Sequence, residues 1–186
     1  MLTVDEAILS RRSVRGYLPT PVPHEAVEHI LQVARRAPSG TNTQPWKVHV
    51  LTGVALKGLS DAVLDAFYND TDQHGNDRTH YLDKWREPYL GRRRKVGWDL
   101  YDLVGIKKGD REKTKSFHAK NFSFFGAPVG MIFTIDQDMG WMSWLDYGMF
   151  LQNICIAARG QGLHTCAQAS WGTYHTVVEK ELGLPG

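Results

Sequence analysis

Arginine and serine side chains are concentrated in residues 10–15, near the start of the chain. A guanidinium group offers a fixed fork of donors that matches phosphate oxygens, and serine hydroxyls add further donors. If this arginine segment is extended, alternate side chains share a face, so Arg11, Ser13 and Arg15 could converge on one anion, with Arg12 beside them. A solvated basic turn is the commoner interpretation of such spacing. Both interpretations stay open on these residues alone.

A second segment that could bind a ligand is the 38–46 loop, which joins a predicted helix to a predicted strand. Its small polar residues, among them Ser39, Gly40 and Asn42, expose backbone donors and acceptors and let a planar ligand approach closely. An ordinary connection between a helix and a strand has the same composition, and spacing alone favours it.

Hydrophobic periodicity and capping signals predict the elements that must position these segments. Thr3 and Glu6 have capping-box spacing, which predicts a short helix over residues 4–10. Apolar side chains surround the predicted helix at residues 141–158, so we expect it to be central and buried. Further patterns predict helices near residues 27–34, 56–66 and 174–182, and strands near 46–50, 128–135 and 163–168. This alternation predicts an α+β layered fold, with helices flanking a central mixed or antiparallel sheet.

The segment 69–115 mixes charged and aromatic residues and is too short to enclose its own core, so we interpret it as a helical insertion or lid. Within it, Arg92, Arg93, Arg94 and Lys95 lie near several aromatic residues, a pattern that can bind single-stranded nucleic acid. Acidic residues are interspersed with them, which favours a helix with salt bridges on its surface.

Composition excludes several classes of protein. The chain has 186 residues, 42% of them hydrophobic, which indicates one globular domain. The net charge of +2 gives no reason to expect a nucleic-acid or membrane partner. Cys155 and Cys166 are too few for a disulfide framework, and no histidine pair has metal-ligand spacing, so we expect no metal site. Without a signal-peptide pattern or an apolar span, we expect a soluble cytoplasmic protein.

Two motifs, taken together, closely resemble the flavin-dependent nitroreductase family. Its first signature stands here as Arg11-Arg12-Ser13-Val14-Arg15, and its second as Pro38-Ser39-Gly40-Thr41-Asn42-Thr43-Gln44-Pro45-Trp46. Further likeness runs through Gly126-Ala127-Pro128, residues 144–158 and Gly162-Leu163-His164-Thr165-Cys166. The resemblance therefore covers almost the whole chain, and the 69–115 segment is its least typical part.

The resemblance implies a flavoenzyme that transfers hydride from NADH or NADPH through FMN to nitroaromatics, quinones or similar acceptors, by a ping-pong mechanism. It also implies a homodimer with FMN at the subunit interface, and it makes the long buried helix an interface helix. Because FMN carries the chemistry, no catalytic side chain is expected. A reductive dehalogenase or a flavin-degrading enzyme on the same scaffold remains an alternative, as does a non-catalytic flavin-binding protein.

The resemblance assigns the arginine segment to both ends of FMN. Arg11 and Ser13 would hold its phosphate, with Arg12 alongside. Arg15 would reach the pyrimidine edge of the isoalloxazine, where a cation stabilises the negative charge that develops when the ring is reduced.

The remaining contacts implied by the resemblance come from three other places in the chain. Pro38, Ser39 and Gly40 would be supplied by the partner subunit. Gln168 and Ala169 occupy the loop near flavin N5, and Asn121 is expected to contact the flavin ring.

Two departures from the family pattern stand out. The usual basic C-terminal segment, which wraps the partner, does not follow Gly186, so we expect this C-terminal extension to be missing from a truncated sequence. In addition, the stretch Ala167-Gln168-Ala169 lacks an acidic residue that is often found in that loop.

Overall fold

A computed structural model describes residues 2–75 and 82–185. Tyr81, which belongs to the predicted 69–115 insertion, and Gly186 lie outside the described residues. The helices are α1 (Val4–Ser10), α2 (His24–Ala34), α3 (Gly53–Asn69), α4 (Tyr89–Leu103), α5 (Arg111–Ala119), α6 (Trp141–Gly160) and α7 (His175–Leu182), and the strands are β1 (Lys47–Thr52) and β2 (Val129–Thr134). None of these helices is long and apolar enough to cross a membrane.

Helix α1 begins with the predicted capping box. The Glu6 amide donates to Thr3 Oγ1 at 3.2 Å, and the Thr3 amide donates to Glu6 Oε2 at 2.7 Å. These two bonds satisfy amide groups that have no partner within the first turn of a helix. The predicted helix over residues 4–10 is confirmed.

The described residues divide into two compact units, of which the first contains residues 2–58 and 124–168. In this first unit, β1 and β2 pair antiparallel, with Lys47 opposite Thr134 and Thr52 opposite Val129. The strands predicted near residues 46–50 and 128–135 are therefore confirmed. Helices α1 and α2 pack against α6, whose Phe150 ring stacks on Trp46 with centroids 4.7 Å apart.

Helix α6 lies at the centre of the first unit, but its burial is one-sided in the single chain. Tyr147, Phe150, Ile154 and Ala158 recur every three or four residues and are buried against α2 and the strands. The first turns of α6 are more exposed to solvent, and Trp141 is 79% exposed. The same apolar helix thus contributes to the core and leaves an apolar surface.

The strand expected at residues 163–168 does not form, and that prediction is wrong. Thr165 makes one isolated parallel bridge to Ser13, and no ladder extends from it in this part of the described chain. Leu163 packs against the core cluster instead. A short apolar run cannot be assigned to a strand by periodicity alone, because a loop that packs one side chain inward has a similar pattern.

The second unit contains residues 59–75, 82–123 and 169–185. Its core includes Phe122, whose ring centroid lies 5.3 Å from that of Phe67, 5.0 Å from that of Tyr174 and 5.6 Å from that of Trp171. Helix α4 has no buried residue. Helix α7 ends at Gly183 with a φ of 63°, as expected for a glycine that closes a helix.

Candidate functional site

The arginine segment leaves α1 in an extended conformation. Arg11 caps the helix, and its amide donates to Ala7 O at 3.1 Å. Two residues later Ser13 bridges to Thr165, and the Val14 amide donates to Thr165 O at 3.1 Å. The segment therefore runs parallel to residues 163–168, the loop that contains Gln168.

Arg159 of α6 ties the same two segments together. Its Nε donates to Ser10 Oγ at 3.2 Å, and its Nη1 donates to Leu163 O at 3.0 Å. The guanidinium of Arg159 is thus used within the fold.

The arginines of the segment differ in their surroundings. Arg15 Nη1 donates to Ser13 O at 3.2 Å, and its guanidinium lies 6.0 Å from the Phe125 ring centroid. Arg11 and Arg12 make no side-chain hydrogen bond or ion pair with the described residues. Their donors are available for an anion, whereas Arg15 is held in place by its neighbours.

Cys166 and Tyr17 lie near these arginines in a partly desolvated environment. Burial raises the pKa of the Cys166 thiol; the Arg15 charge acts in the opposite direction, and Cys155 adds to the rise. Burial likewise raises the pKa of Tyr17. Both groups are therefore neutral at physiological pH, and neither has the lowered pKa of a nucleophile.

The side chain of Gln168 has a hydrogen-bond acceptor without a partner, in the loop that pairs with the arginine segment. Within the described part of the chain, its side-chain Oε1 is buried and has no hydrogen-bond partner. A buried amide oxygen without a partner is costly, so it marks a place where a ligand group or water would be stabilised. Arg11, Arg12, Ser13, Arg15 and Gln168 are thus brought together in the first unit.

Two further predicted contacts, Asn121 and Ala169, belong to the second unit. Asn121 Nδ2 donates to His118 O at 2.8 Å, which holds the amide side chain against the end of α5. Ala169 is exposed, and its carbonyl accepts from the Gly172 amide at 3.2 Å. The backbone amide of Ala169 therefore belongs to a defined turn.

The 38–46 loop is a tight turn with an unusual backbone. Thr41, Asn42 and Gln44 have φ values of 50°, 59° and 49°. These left-handed conformations are unfavourable for residues with a Cβ, so the surrounding contacts must maintain them. One such contact is the hydrogen bond that Ser39 Oγ accepts from the Gln44 amide at 3.0 Å.

The comparisons with known proteins decide the family. The profile of the nitroreductase family matches residues 8–186. The chain belongs to the nitroreductase family. It is 40% identical over 182 residues to the chloronitrobenzene nitroreductase of Comamonas testosteroni, covering 98% of this chain and 80% of that protein. It is 42% identical over 180 residues to the 4-nitrobenzoate reductase of Pseudomonas putida, covering 97% and 78% of the two chains.

A solved structure supports the fold of this nitroreductase. The crystal structure of the FMN and NADPH-dependent nitroreductase NfnB from Sphigopyxis sp. strain HMH superposes with a TM-score of 0.96 at 34% identity. The match covers 99% of this chain and 82% of that one. The predicted α+β fold is confirmed.

One residue that positions the 38–46 loop of this nitroreductase escaped the sequence analysis. Asp146 of α6 is only 7% exposed, and its Oδ2 accepts from the Gly40 amide at 3.0 Å. The sequence signal that could have revealed this role is that Asp146 is a lone carboxylate in an otherwise apolar stretch of helix. A buried carboxylate needs a donor, and the loop supplies one.

The phenylalanine-rich turn before β2 is a second feature that the sequence analysis left without a role. Phe124 and Phe125 are buried and have φ values of 49° and 54°. A Cβ added to Gly130 would lie 2.6 Å from the Phe124 ring, so only glycine fits there. Phe125, the next residue in this turn, is the ring whose centroid lies 6.0 Å from the Arg15 guanidinium.

Proposed function

We propose that this nitroreductase is an FMN-dependent NAD(P)H oxidoreductase that reduces nitroaromatic, quinone or similar acceptors by a ping-pong mechanism. The observation that carries the proposal is the pairing of Ser13 with Thr165, because it brings the free arginine donors beside the loop of Gln168. Family membership supports it, as do the nitroaromatic substrates in the names of two relatives and the FMN and NADPH dependence of NfnB.

The residues of the arginine segment fit the chemistry of FMN. The guanidinium groups of Arg11 and Arg12 and the Ser13 hydroxyl would hold the phosphate, which matches forked and hydroxyl donors. Arg15, fixed by Ser13 O and by the Phe125 ring, would face the pyrimidine edge and stabilise negative charge there. When bound, FMN supplies the ring that takes up and releases the electrons.

Other residues would orient the ring. The unpartnered Gln168 Oε1 is an acceptor for a ring or ribityl donor, and the Ala169 amide would face flavin N5. Asn121 would contact the ring. Pro38, Ser39 and Gly40 would reach it from the partner subunit, in the loop that Asp146 and Ser39 hold in shape.

We also propose a homodimer that covers the open face of α1 and α6. The side chains of Ile8 and Leu9 on α1 are 50% and 83% exposed, and Trp141 and Leu145 on α6 are 79% and 57% exposed. Two adjacent helices with exposed apolar side chains of this size are typical of a surface that meets another protein. Residues 1–186 would form one FMN-binding domain in each subunit, with residues 69–115 as an inserted helical lid.

An absorption spectrum tests this function. Purified protein reconstituted with FMN should retain a yellow chromophore after desalting, should bleach on anaerobic addition of NADPH, and should recover its colour when nitrobenzene is added. Protein that retains no FMN would contradict the proposal. So would bound FMN without steady NADPH oxidation, which is the behaviour of a non-catalytic flavin-binding protein.

A further inference from the structure

Two buried polar atoms of the 163–168 loop, Thr165 Oγ1 and Gln168 Oε1, have no hydrogen-bond partner in the described part of the chain. A buried hydroxyl or amide oxygen without a partner costs free energy of folding, so native structures contain few such groups. The two atoms belong to residues three positions apart in one loop. This arrangement indicates a common partner that the described residues do not supply.

Thr165 is also the residue that pairs with the arginine segment. It bridges to Ser13 in parallel, and its carbonyl accepts from the Val14 amide at 3.1 Å. Residues paired across a parallel bridge place their side chains on one face, and alternate residues of an extended segment share that face. The Thr165 side chain therefore lies beside that of Ser13. Arg11 and Arg15 flank this pair along the segment.

The structure restricts the position of the Thr165 hydroxyl. The bridge fixes the main chain, and the β-branched side chain has few accessible rotamers. Burial raises the pKa of the thiol of Cys166, the next residue, so this part of the loop is partly shielded from water. A hydrogen bond is stronger in such an environment than in solvent. Thr165 thus offers a preorganised hydroxyl at little cost in conformational entropy.

The chemistry of the two atoms distinguishes between the parts of a flavin nucleotide. Gln168 Oε1 only accepts hydrogen bonds, and so do the oxygens of a phosphate dianion, so a phosphate cannot satisfy it. A hydroxyl of the ribityl chain can donate to Gln168 Oε1 and accept from Thr165 Oγ1. In our assignment the phosphate lies at Arg11 and the pyrimidine edge at Arg15, and Thr165 lies between these positions. The two atoms are therefore complementary to the polyol that joins phosphate and ring.

We propose that Thr165 Oγ1 and Gln168 Oε1 bind the ribityl hydroxyls of the flavin, so that the 163–168 loop recognises the polyol while Arg11 recognises the phosphate. This inference rests on the proposed function, because the ribityl chain reaches the loop only if FMN lies along the arginine segment. Thr165 is then a binding residue outside the two signature motifs. Its hydroxyl contributes to flavin affinity and not to the stability of the flavin-free protein.

Three flavins with the same isoalloxazine ring test this inference in the flavin-free protein. FMN carries the ribityl chain and the phosphate, riboflavin carries the chain alone, and lumiflavin carries neither. Thr165→Val replaces the hydroxyl by a methyl group and should weaken FMN and riboflavin binding about fivefold, as expected for one neutral hydrogen bond, without changing lumiflavin binding. Arg11→Ala should weaken FMN binding alone. Quenching of flavin fluorescence measures each dissociation constant.

Three further variants control for the substitution itself. Thr165→Ser keeps the hydroxyl and should bind all three flavins within about twofold of wild type. Gln168→Leu removes the acceptor and should repeat the pattern of Thr165→Val across the three flavins. Thr52→Val makes the same change at an exposed position of β1 and should match wild type throughout.

Urea unfolding of the flavin-free protein separates a binding hydroxyl from a structural one. Thr165→Val should not lower the midpoint, because the hydroxyl that it removes has no partner among the described residues. A lower midpoint with unchanged FMN affinity would overturn the inference, since an ordered water or the fold itself would then hold the hydroxyl.

The flavin titrations distinguish failure of this inference from failure of the proposed function. Unchanged FMN affinity in Thr165→Val, or equal weakening of FMN and lumiflavin, would overturn the role of Thr165 and leave the proposed function standing. Wild-type protein that binds no FMN would overturn both.

Discussion

Arg11 and Arg15 lie in one extended segment, yet their surroundings differ. Arg11 has no side-chain partner among the described residues, whereas Arg15 is bonded to Ser13 O and lies over Phe125. Arg11→Ala should weaken FMN affinity by about 1.5–3 kcal/mol, because a charge-assisted phosphate contact is lost. Arg15→Ala should lower the flavin potential by roughly 30 mV with a smaller effect on affinity, because a cation beside the reduced ring is removed.

Fluorescence titration of FMN and a redox titration of the loaded protein measure these two effects. Arg94→Ala, an exposed arginine on α4, is the matched control and should change neither quantity. Identical and negligible effects of Arg11→Ala and Arg15→Ala would show that the assigned roles are wrong.

Cys166 provides a pH-dependent prediction. Because burial raises the pKa of this thiol, a smaller fraction is thiolate at pH 7.5 than in a free cysteine, and the thiolate is the reactive form. Alkylation of Cys166 by iodoacetamide should therefore be slower than that of N-acetylcysteine, and its rate should keep rising at pH values where the free thiol has levelled off. Peptide mass spectrometry at several pH values measures both rates. Faster alkylation of Cys166 at pH 7.5 would contradict the burial argument.

At the scale of elements, the hydrogen bond from the Gly40 amide to Asp146 ties the turn of the 38–46 loop to α6. Asp146→Asn keeps an oxygen acceptor and should preserve the loop. Asp146→Leu leaves the Gly40 amide without that acceptor and should cost about 1–3 kcal/mol of stability. Urea unfolding gives the stability, and hydrogen exchange of the Gly40 amide reports on the loop directly. Equal protection of that amide in both variants would contradict the role of Asp146.

Most elements could be predicted because their signals are local. The Thr3–Glu6 capping box and the alternation around Val48 and Val50 involve residues only a few positions apart, and both elements form as expected. The strand predicted at residues 163–168 does not form, because the conformation of this segment depends on Ser13 and on the core against which Leu163 packs. Asp146 was missed for a similar reason, since its partner lies 106 residues away.

At the scale of the whole molecule, the exposed apolar face of α1 and α6 predicts that two copies associate. Leu145→Arg should weaken the dimer, because a charge would be buried at an apolar interface. FMN should be lost in parallel, since the partner's 38–46 loop would be removed. Analytical ultracentrifugation with absorbance at the flavin band measures both, and Val54→Arg, at an exposed apolar position on α3, is the control. A wild-type monomer loaded with FMN would contradict the prediction.

The sequence by itself identified the segments to which we assign ligand binding, and it determined most of the local elements that surround them. The residues of each signature are neighbours in the chain, and helix caps and periodicity act over a few positions. Only the tertiary structure decided that Ser13 pairs with Thr165 and that Asp146 anchors Gly40. These contacts join residues distant in sequence, and they form only because packing of the whole chain outweighs the entropy of closing the intervening loops.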